Sequence, residues 1–430
     1  MSNYYEVTPL NHPPNCTVEV PGSKSITNRA LLLASMADGR TTLENVLFSD
    51  DSRSFIDCLQ SLGYALKVDE SAKTVEVNGG IPQSGSRINV RSAGTSARFI
   101  TALLAAHEGS FTVDASLQMK NRPMQSLLSA LVSLGCKIEY LEREGFLPYK
   151  IHGARLKGGE VSVDSAASSQ FTSGLLMTGC LHQNDLIIRP KSKEIAKSYI
   201  DITLTMMEQF GGAKVGRVDG AYVVKAGGKY TPQAYKIEPD LSTACYFYAA
   251  AALTQGAVLV KDVHFSSMQG DIKFLSVLER MGCVTSETAE GIMLRGTGNL
   301  AGVDVDMNDF SDQTMTLAAL APFANSPTTI RNIAHIKHQE SDRIQAILTE
   351  LTRLGVPCEE IRVPNGGAID GIKIHPAPPK PTTIETYDDH RMAMAFSLIG
   401  LRTEGIKIAN PACVGKTFEG FFGVLEGLNS

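Results

Sequence analysis

Eight stretches of the chain set charged or proton-bearing side chains among small residues at the mouths of apolar runs. PGSKSITNRALLLASMADG (21–39) puts Lys24 between Ser23 and Ser25, with Arg29 further on. SAGTSARF (92–99) leads through Gly94 and Thr95 to Arg98, and KNRPMQSLLSAL (120–131) places Arg122 before Pro123, where a helix N1 position is expected. DSAASSQFTSGLLM (164–177) offers Ser168, Ser169 and Gln170. HQESDRIQAIL (338–348) carries Glu340, Asp342 and Arg343, and YDDHRMAMAF (387–396) carries Asp388, Asp389, His390 and Arg391. GKTFEGF (415–421) adds Lys416, and NDFSDQTMTLAAL (308–320) adds Asp312. Each polar cluster is read as the start of a helix. Cations there oppose the helix dipole unless an anion lies between, so such a set suits a ligand with more than one negative group. Carboxylates among them can give and take protons.

Taken singly, each residue also has a plain structural reading. Asp388 or Asp389 makes an N-cap, Glu340 and Asp342 suit a helix start with Arg343 as partner, and Asp312 is first-turn decoration behind Ser311. The Gly-Ser-Lys-Ser of the first stretch is no nucleotide-binding P-loop, because Ser23 stands where that motif needs glycine.

The elements that would position these groups follow from a repeat. CLQSLGYALKV (58–68), ALVSLGCKIEY (130–140), MMEQFGGAKVG (206–216), VLERMGCVTSE (277–287) and LTRLGVPCEE (351–360) each read as a helix end, a glycine and a strand. Gly63, Gly135, Gly211, Gly282 and Gly355 recur about every seventy residues, far above solenoid periods. Each is expected at the left-handed residue that closes a helix. FFGVLEGL (421–428) is a degenerate sixth copy, so the chain is an α/β protein built from about six strand-and-helix modules.

At 430 residues, 43% hydrophobic and 20% charged, the composition is that of a globular protein of more than one domain. Net charge of −5 argues against a general nucleic-acid binder while permitting a local cationic pocket. The eight cysteines form no C-x-x-C pair, which removes the usual sign of structural zinc and points to buried, reduced thiols. No secretory signal or membrane-span pattern is read, so the cytoplasm is expected.

These motifs, in this order, resemble the 5-enolpyruvylshikimate-3-phosphate synthase family over essentially the whole chain. The resemblance implies two similar lobes, each of three βαβαββ repeats in an inverse αβ barrel-like arrangement, with the active site in the interlobe cleft. Lobe I would span 1–22 and 238–430, and lobe II 23–237. The implied reaction joins phosphoenolpyruvate to shikimate 3-phosphate and releases phosphate through a tetrahedral intermediate. Implied shikimate 3-phosphate ligands are Lys24, Ser25, Arg29, Ser168, Ser169, Gln170, Tyr199 and Asp312. Those for phosphoenolpyruvate are Lys24, Gly94, Arg122, Gln170, Arg343, Arg391 and Lys416. Lys24, Asp312 and Glu340 are implied as catalytic, with Asp312 taking the hydroxyl proton and Glu340 handling the methylene proton. Gln339, Asp389 and His390 flank them. The family needs no metal or other cofactor, binds neither nucleic acid nor membrane, works as a monomer and is the target of glyphosate.

Ser92, Phe99, Ala196 and Gln339 depart from the family's commoner Asn, Pro, Ser and Lys. Rival readings are the sister enolpyruvyl transferase acting on a UDP-N-acetylglucosamine acceptor, and a non-catalytic anion-binding protein on the same scaffold. The first usually carries a loop cysteine, which MKNRPMQ lacks; the second is expected to lose Asp312 or Glu340, and both are present.

Overall fold

A computed structural model describes residues 4–164, 168–191, 196–212, 214–363 and 367–429. The chain divides into two compact units, residues 22–237 and residues 1–21 with 238–430, so that Gly22 belongs with the first of these.

In residues 22–237, three four-stranded sheets share one topology. Arg87–Asn89 pairs parallel with Gly109–Asp114, which pairs antiparallel with Tyr149–Gly153, which pairs antiparallel with Lys137–Tyr140. The order of Gly159–Val163, Leu186–Pro190, Ala221–Val224 and Val215–Val218 repeats it. In the remaining sheet the parallel edge strand is Ala234–Lys236, late in the unit, laid beside Arg40–Glu44 at its start. The other unit has two sheets of this pattern and one of three strands among its described residues. There Asn15–Val18 supplies the parallel edge to Ala257–Lys261. Tyr4–Glu6 pairs antiparallel with Lys407–Ala409 to complete the last, shortened repeat.

A mostly buried helix leads into the inner strand of each parallel pair, and such helices must be enclosed. All twelve residues of Gly94–Ala105 are buried, as are all but Thr254 of Leu241–Thr254. The outer helices are two-faced: Lys273–Arg280 buries only Phe274, Leu275, Val277 and Leu278.

The five repeat glycines have φ of 88°, 112°, 74°, 104° and 77°. Four of them close Schellman motifs, in which the glycine and the next residue cap the helix's last carbonyls. Tyr64, Cys136, Cys283 and Val356 each donate a backbone N–H five residues back, to Leu59, Leu131, Leu278 and Leu351, and every one of these side chains is buried. The expected sixth copy is not one. Gly427 caps Phe421–Glu426 at φ −60° and runs on into a 3-10 turn, so no left-handed residue ends that helix.

Gly22 matters for a different reason. A Cβ there would lie 1.9 Å from the carbonyl oxygen of Asn45, so only glycine lets the chain enter the unit at this point.

Candidate active site

In residues 22–237 the polar residues collect at the starts of the inner helices. Lys24 is the first residue of Lys24–Met36, behind Ser23, whose hydroxyl makes no capping bond. The lysine Nζ stands 3.4 Å from Oδ2 of Asp51, a buried carboxylate in the first turn of Asp50–Ser61. Ser25 is half-buried beside it.

Arg29, one turn on, points into the interior. Its Nε donates to Thr203 Oγ1 at 2.8 Å, Nη1 to the Ser25 carbonyl at 3.0 Å, and Nη2 to the Tyr199 carbonyl at 2.9 Å and Ser173 Oγ at 3.4 Å. It therefore ties together Lys24–Met36, Gln170–Thr178 and Lys197–Gln209. Burial pushes its pKa down to about 10, which leaves it cationic at neutral pH. The guanidinium also lies 5.3 Å from the centre of the Phe99 ring, one of the family departures, now seen as a fully buried packing residue. Tyr199 is half-buried, and Ala196 precedes its helix in the left-handed conformation.

Gly94 opens the helix Gly94–Ala105 against two arginines. A Cβ on it would sit 2.6 Å from Arg98 Nη1 and 2.7 Å from Arg122 Nη1. Arg98 donates to Gln170 Oε1 at 2.7 Å, and Gln170 Nε2 donates to Thr95 Oγ1 at 3.4 Å. The Gln170 backbone N–H donates to Ser168 Oγ at 3.2 Å, and Ser169 caps the helix as a buried residue. Arg122 is not before a helix N1 proline. The helix is Gln125–Ser133, two residues past Pro123, and Arg122 sits in the turn after the short helix Leu117–Lys120. Its Nε is buried without a hydrogen-bond partner, and among the described residues no carboxylate lies within ion-pair reach of it.

In the other unit, the cations are surrounded by acids. Arg343 begins the helix Arg343–Arg353, capped by Asp342, whose carboxylate accepts from Gln345 N at 3.1 Å. The Arg343 side chain is 1% exposed, and it donates to Asp312 Oδ1 at 2.8 Å, Glu340 Oε2 at 2.9 Å and Asp389 Oδ2 at 2.8 Å. It also donates to Gln339 Oε1, so the residue in the lysine position serves as a neutral acceptor. Burial lowers the arginine's pKa, but the three carboxylates outweigh it and the net shift is upward. Asp312, in the 3-10 turn Asn308–Gln313, gives its other oxygen to Arg391 Nη2 at 2.8 Å.

Arg391 is the second residue of His390–Gly400, capped by Asp389, whose carboxylate accepts from Arg391 N at 3.0 Å and from Ser341 Oγ at 3.0 Å. His390 is fully buried, with Nδ1 3.9 Å from Asp389 Oδ1. The turn before them is strained. Tyr387 and Asp388 both hold positive φ, 55° and 57°. The buried Glu350 secures it, accepting from Tyr387 Oη at 2.8 Å and Glu385 N at 3.1 Å. Lys416 does not begin a helix as expected. It ends the 3-10 turn Pro411–Lys416, buried, with no carboxylate within ion-pair reach among the described residues.

The expectation that an external anion must relieve these cations is thus corrected for three of them. Lys24, Arg343 and Arg391 are paired with the chain's own carboxylates. Asp51 escaped the sequence reading because an acid in a helix first turn is commonplace. Ser242, which touches Arg391, and Asp271 behind it sit in segments with no distinguishing motif.

One class fits this arrangement: a repeat-built α/β protein that gathers cations, carboxylates and small residues at helix starts to handle an anionic ligand. The sequence profile described as EPSP synthase (3-phosphoshikimate 1-carboxyvinyltransferase) matches residues 11–425. The chain is 45% identical over 416 residues to a 3-phosphoshikimate 1-carboxyvinyltransferase of Trichormus variabilis, covering 96% of each. It is 43% identical over 420 residues to that of Nostoc punctiforme, covering 97% of each. A solved EPSP synthase from Acinetobacter baumannii superposes with a TM-score of 0.82 at 25% identity, over 99% of this chain and 98% of that one. The chain belongs to the EPSP synthase family. No helix among the described residues is long and apolar enough to cross a membrane.

Proposed function

We propose that the chain transfers the enolpyruvyl group of phosphoenolpyruvate to the 5-hydroxyl of shikimate 3-phosphate and releases inorganic phosphate, as a monomer in the cytoplasm. The observation that carries this reading is Asp312 held by both Arg343 and Arg391, with Glu340 on the same Arg343. Two anion-gripping arginines and two carboxylates then share a few ångströms. The eight cysteines, all free thiols, fit a reducing compartment.

In this reading Arg343 and Arg391, with Gly94, Arg122, Gln170 and Lys416, receive phosphoenolpyruvate. Lys24, Ser25, Ser168, Ser169, Gln170 and Tyr199 receive shikimate 3-phosphate, and Arg29 supports them by fixing the Ser25 and Tyr199 backbone. Glu340 protonates the methylene carbon, which leaves the adjacent carbon electron-poor. The 5-hydroxyl oxygen adds there while its proton passes to Asp312. The adduct then returns a methyl proton to Glu340 as its carbon–oxygen bond to phosphate breaks, which restores the double bond and expels phosphate. Lys24 neutralises charge on the leaving phosphate.

The test is phosphate release from phosphoenolpyruvate with each acceptor in turn. Release with shikimate 3-phosphate and none with UDP-N-acetylglucosamine is expected. The reverse would move the chain to the sister reaction, and release with neither would overturn the assignment.

A further inference from the structure

We propose that Asp271, which lies outside the set of groups assigned to the ligands, is a positioning residue for Arg391 and Asp312, acting through Ser242 and Gln313. The proposal rests on the reading that Arg391 holds phosphoenolpyruvate.

Asp271 is 5% exposed, in the 3-10 turn Gly270–Ile272. Its two oxygens are divided between two neutral donors. Oδ2 accepts from Ser242 Oγ at 2.9 Å, and Oδ1 accepts from Gln313 Nε2 at 3.0 Å. A hydroxyl has one proton, so a Ser242 that gives it to Asp271 turns only lone pairs to its other neighbours. One of those neighbours is Arg391 Nη2, at 3.4 Å, the same nitrogen that grips Asp312 Oδ2 at 2.8 Å. Asp271 therefore sets the polarity of the hydroxyl that receives Arg391.

Its other oxygen fixes the amide of Gln313, the residue next to Asp312. That amide is held at its far end by Thr316 Oγ1 at 2.9 Å, and its Nε2 also reaches the Ser242 carbonyl at 3.4 Å. The Asp312 carboxylate and Arg391 guanidinium are thus oriented from behind by one acid.

An acid is required there, since both partners donate. An amide of the same size has one acceptor and one donor. If its oxygen keeps Gln313, its NH2 faces Ser242, whose hydroxyl proton then loses its acceptor. Packing survives this exchange while nothing any longer keeps the hydroxyl lone pairs turned toward Arg391.

The experiment measures KM for phosphoenolpyruvate, kcat and melting temperature for the full chain and for Asp271→Asn, Ser242→Ala, their double variant and Arg391→Lys. Asp271→Asn is expected to raise KM for phosphoenolpyruvate roughly tenfold, the loss of one charge-assisted contact. Ser242→Ala raises it too, and the double variant is no worse than the poorer single one, because both act along one path. Independent, multiplying effects would overturn the proposal, as would an Asp271→Asn protein that melts earlier at unchanged KM. Should Asp271→Asn fail to fold, Ser242→Ala alone decides, and a KM at the native value overturns it. Arg391→Lys separates the two levels. If it raises KM while Asp271→Asn does not, only the positioning role falls; if it leaves KM unchanged, the assignment of Arg391 falls and the positioning role with it.

Discussion

Arg29 and Arg343 are both almost fully buried, yet they are satisfied by opposite means. Arg29 meets two hydroxyls and two carbonyls, all neutral, and burial lowers its pKa. Arg343 meets three carboxylates and an amide oxygen, and its pKa rises. The contrast extends to their surroundings. Arg29 is held by neutral groups, Arg122 has no carboxylate of the described residues within ion-pair reach, and Lys24 pairs with Asp51. Around Arg343 and Arg391 lie Asp312, Glu340 and Asp389. A neutral lining leaves positive charge for a ligand's phosphate or carboxylate. An acid-rich lining sets carboxylates that can give and take protons beside the arginines proposed to grip the ligand. The first kind of surroundings suits binding, the second suits proton transfer.

The largest expected effect tests that division. Glu340→Gln and Asp312→Asn should each cost about a hundredfold to ten-thousandfold in kcat, with KM changed only a few-fold. Arg122→Ala, from the neutral set, should act mainly on KM for phosphoenolpyruvate. Steady-state kinetics of all three decide it; carboxylate variants that act mainly on KM would break the contrast.

A smaller effect is expected at Gly94. A Cβ there presses on the far ends of two long, flexible side chains, Arg98 and Arg122, which can shift, so the fold should tolerate Gly94→Ala. The ligand should not, and KM for phosphoenolpyruvate should rise roughly tenfold at an unchanged melting temperature. An unchanged KM would remove Gly94 from the site.

Next comes a pH effect on stability in the acid-rich set. His335 sits with Nε2 2.8 Å from Ser311 Oγ, and burial pushes its pKa down to about 4 from 6.5. The folded state thus keeps the ring neutral while the unfolded chain protonates it. Its contribution is complete above pH 6.5 and is lost as pH falls toward 4, by up to roughly 3 kcal/mol. Urea unfolding of His335→Gln should therefore show a smaller fall in midpoint between neutral and acid pH than the native chain shows. An equal fall would mean that the ring is charged in the folded protein.

Gln339→Lys should do least. It replaces an acceptor for Arg343 by a second cation, yet three carboxylates remain to offset it. A stability change within about 1 kcal/mol, read by the same urea titration, is expected. A larger loss would show the amide oxygen to be essential to the arginine.

What the sequence made legible was local chemistry. A helix that ends in a left-handed residue asks for glycine at one position, and Gly63, Gly135, Gly211, Gly282 and Gly355 answered it. Motif order carried the family and the helix-start placement of Lys24, Arg343 and Arg391. Long-range pairing left no local sign. Tyr4–Glu6 closes a repeat some 400 residues away, and nothing in its three residues says so. The same holds for Asp51 and Asp271, whose roles come from what the fold brings beside them. Lys416 and Arg122 were misplaced by a turn or a loop because proline and glycine mark a boundary without saying which side begins the helix.

The central claim is that Glu340 moves a proton at the methylene carbon, while the neutral-lined cations only hold the ligands. The reaction run in deuterium oxide tests it most directly, with isotope in the methylene of recovered phosphoenolpyruvate and product read by mass spectrometry. The native chain is predicted to incorporate deuterium there, Arg122→Ala to do so once its ligands are raised to saturation, and Glu340→Gln to lose incorporation while still binding both substrates. Undiminished incorporation by Glu340→Gln would contradict the account.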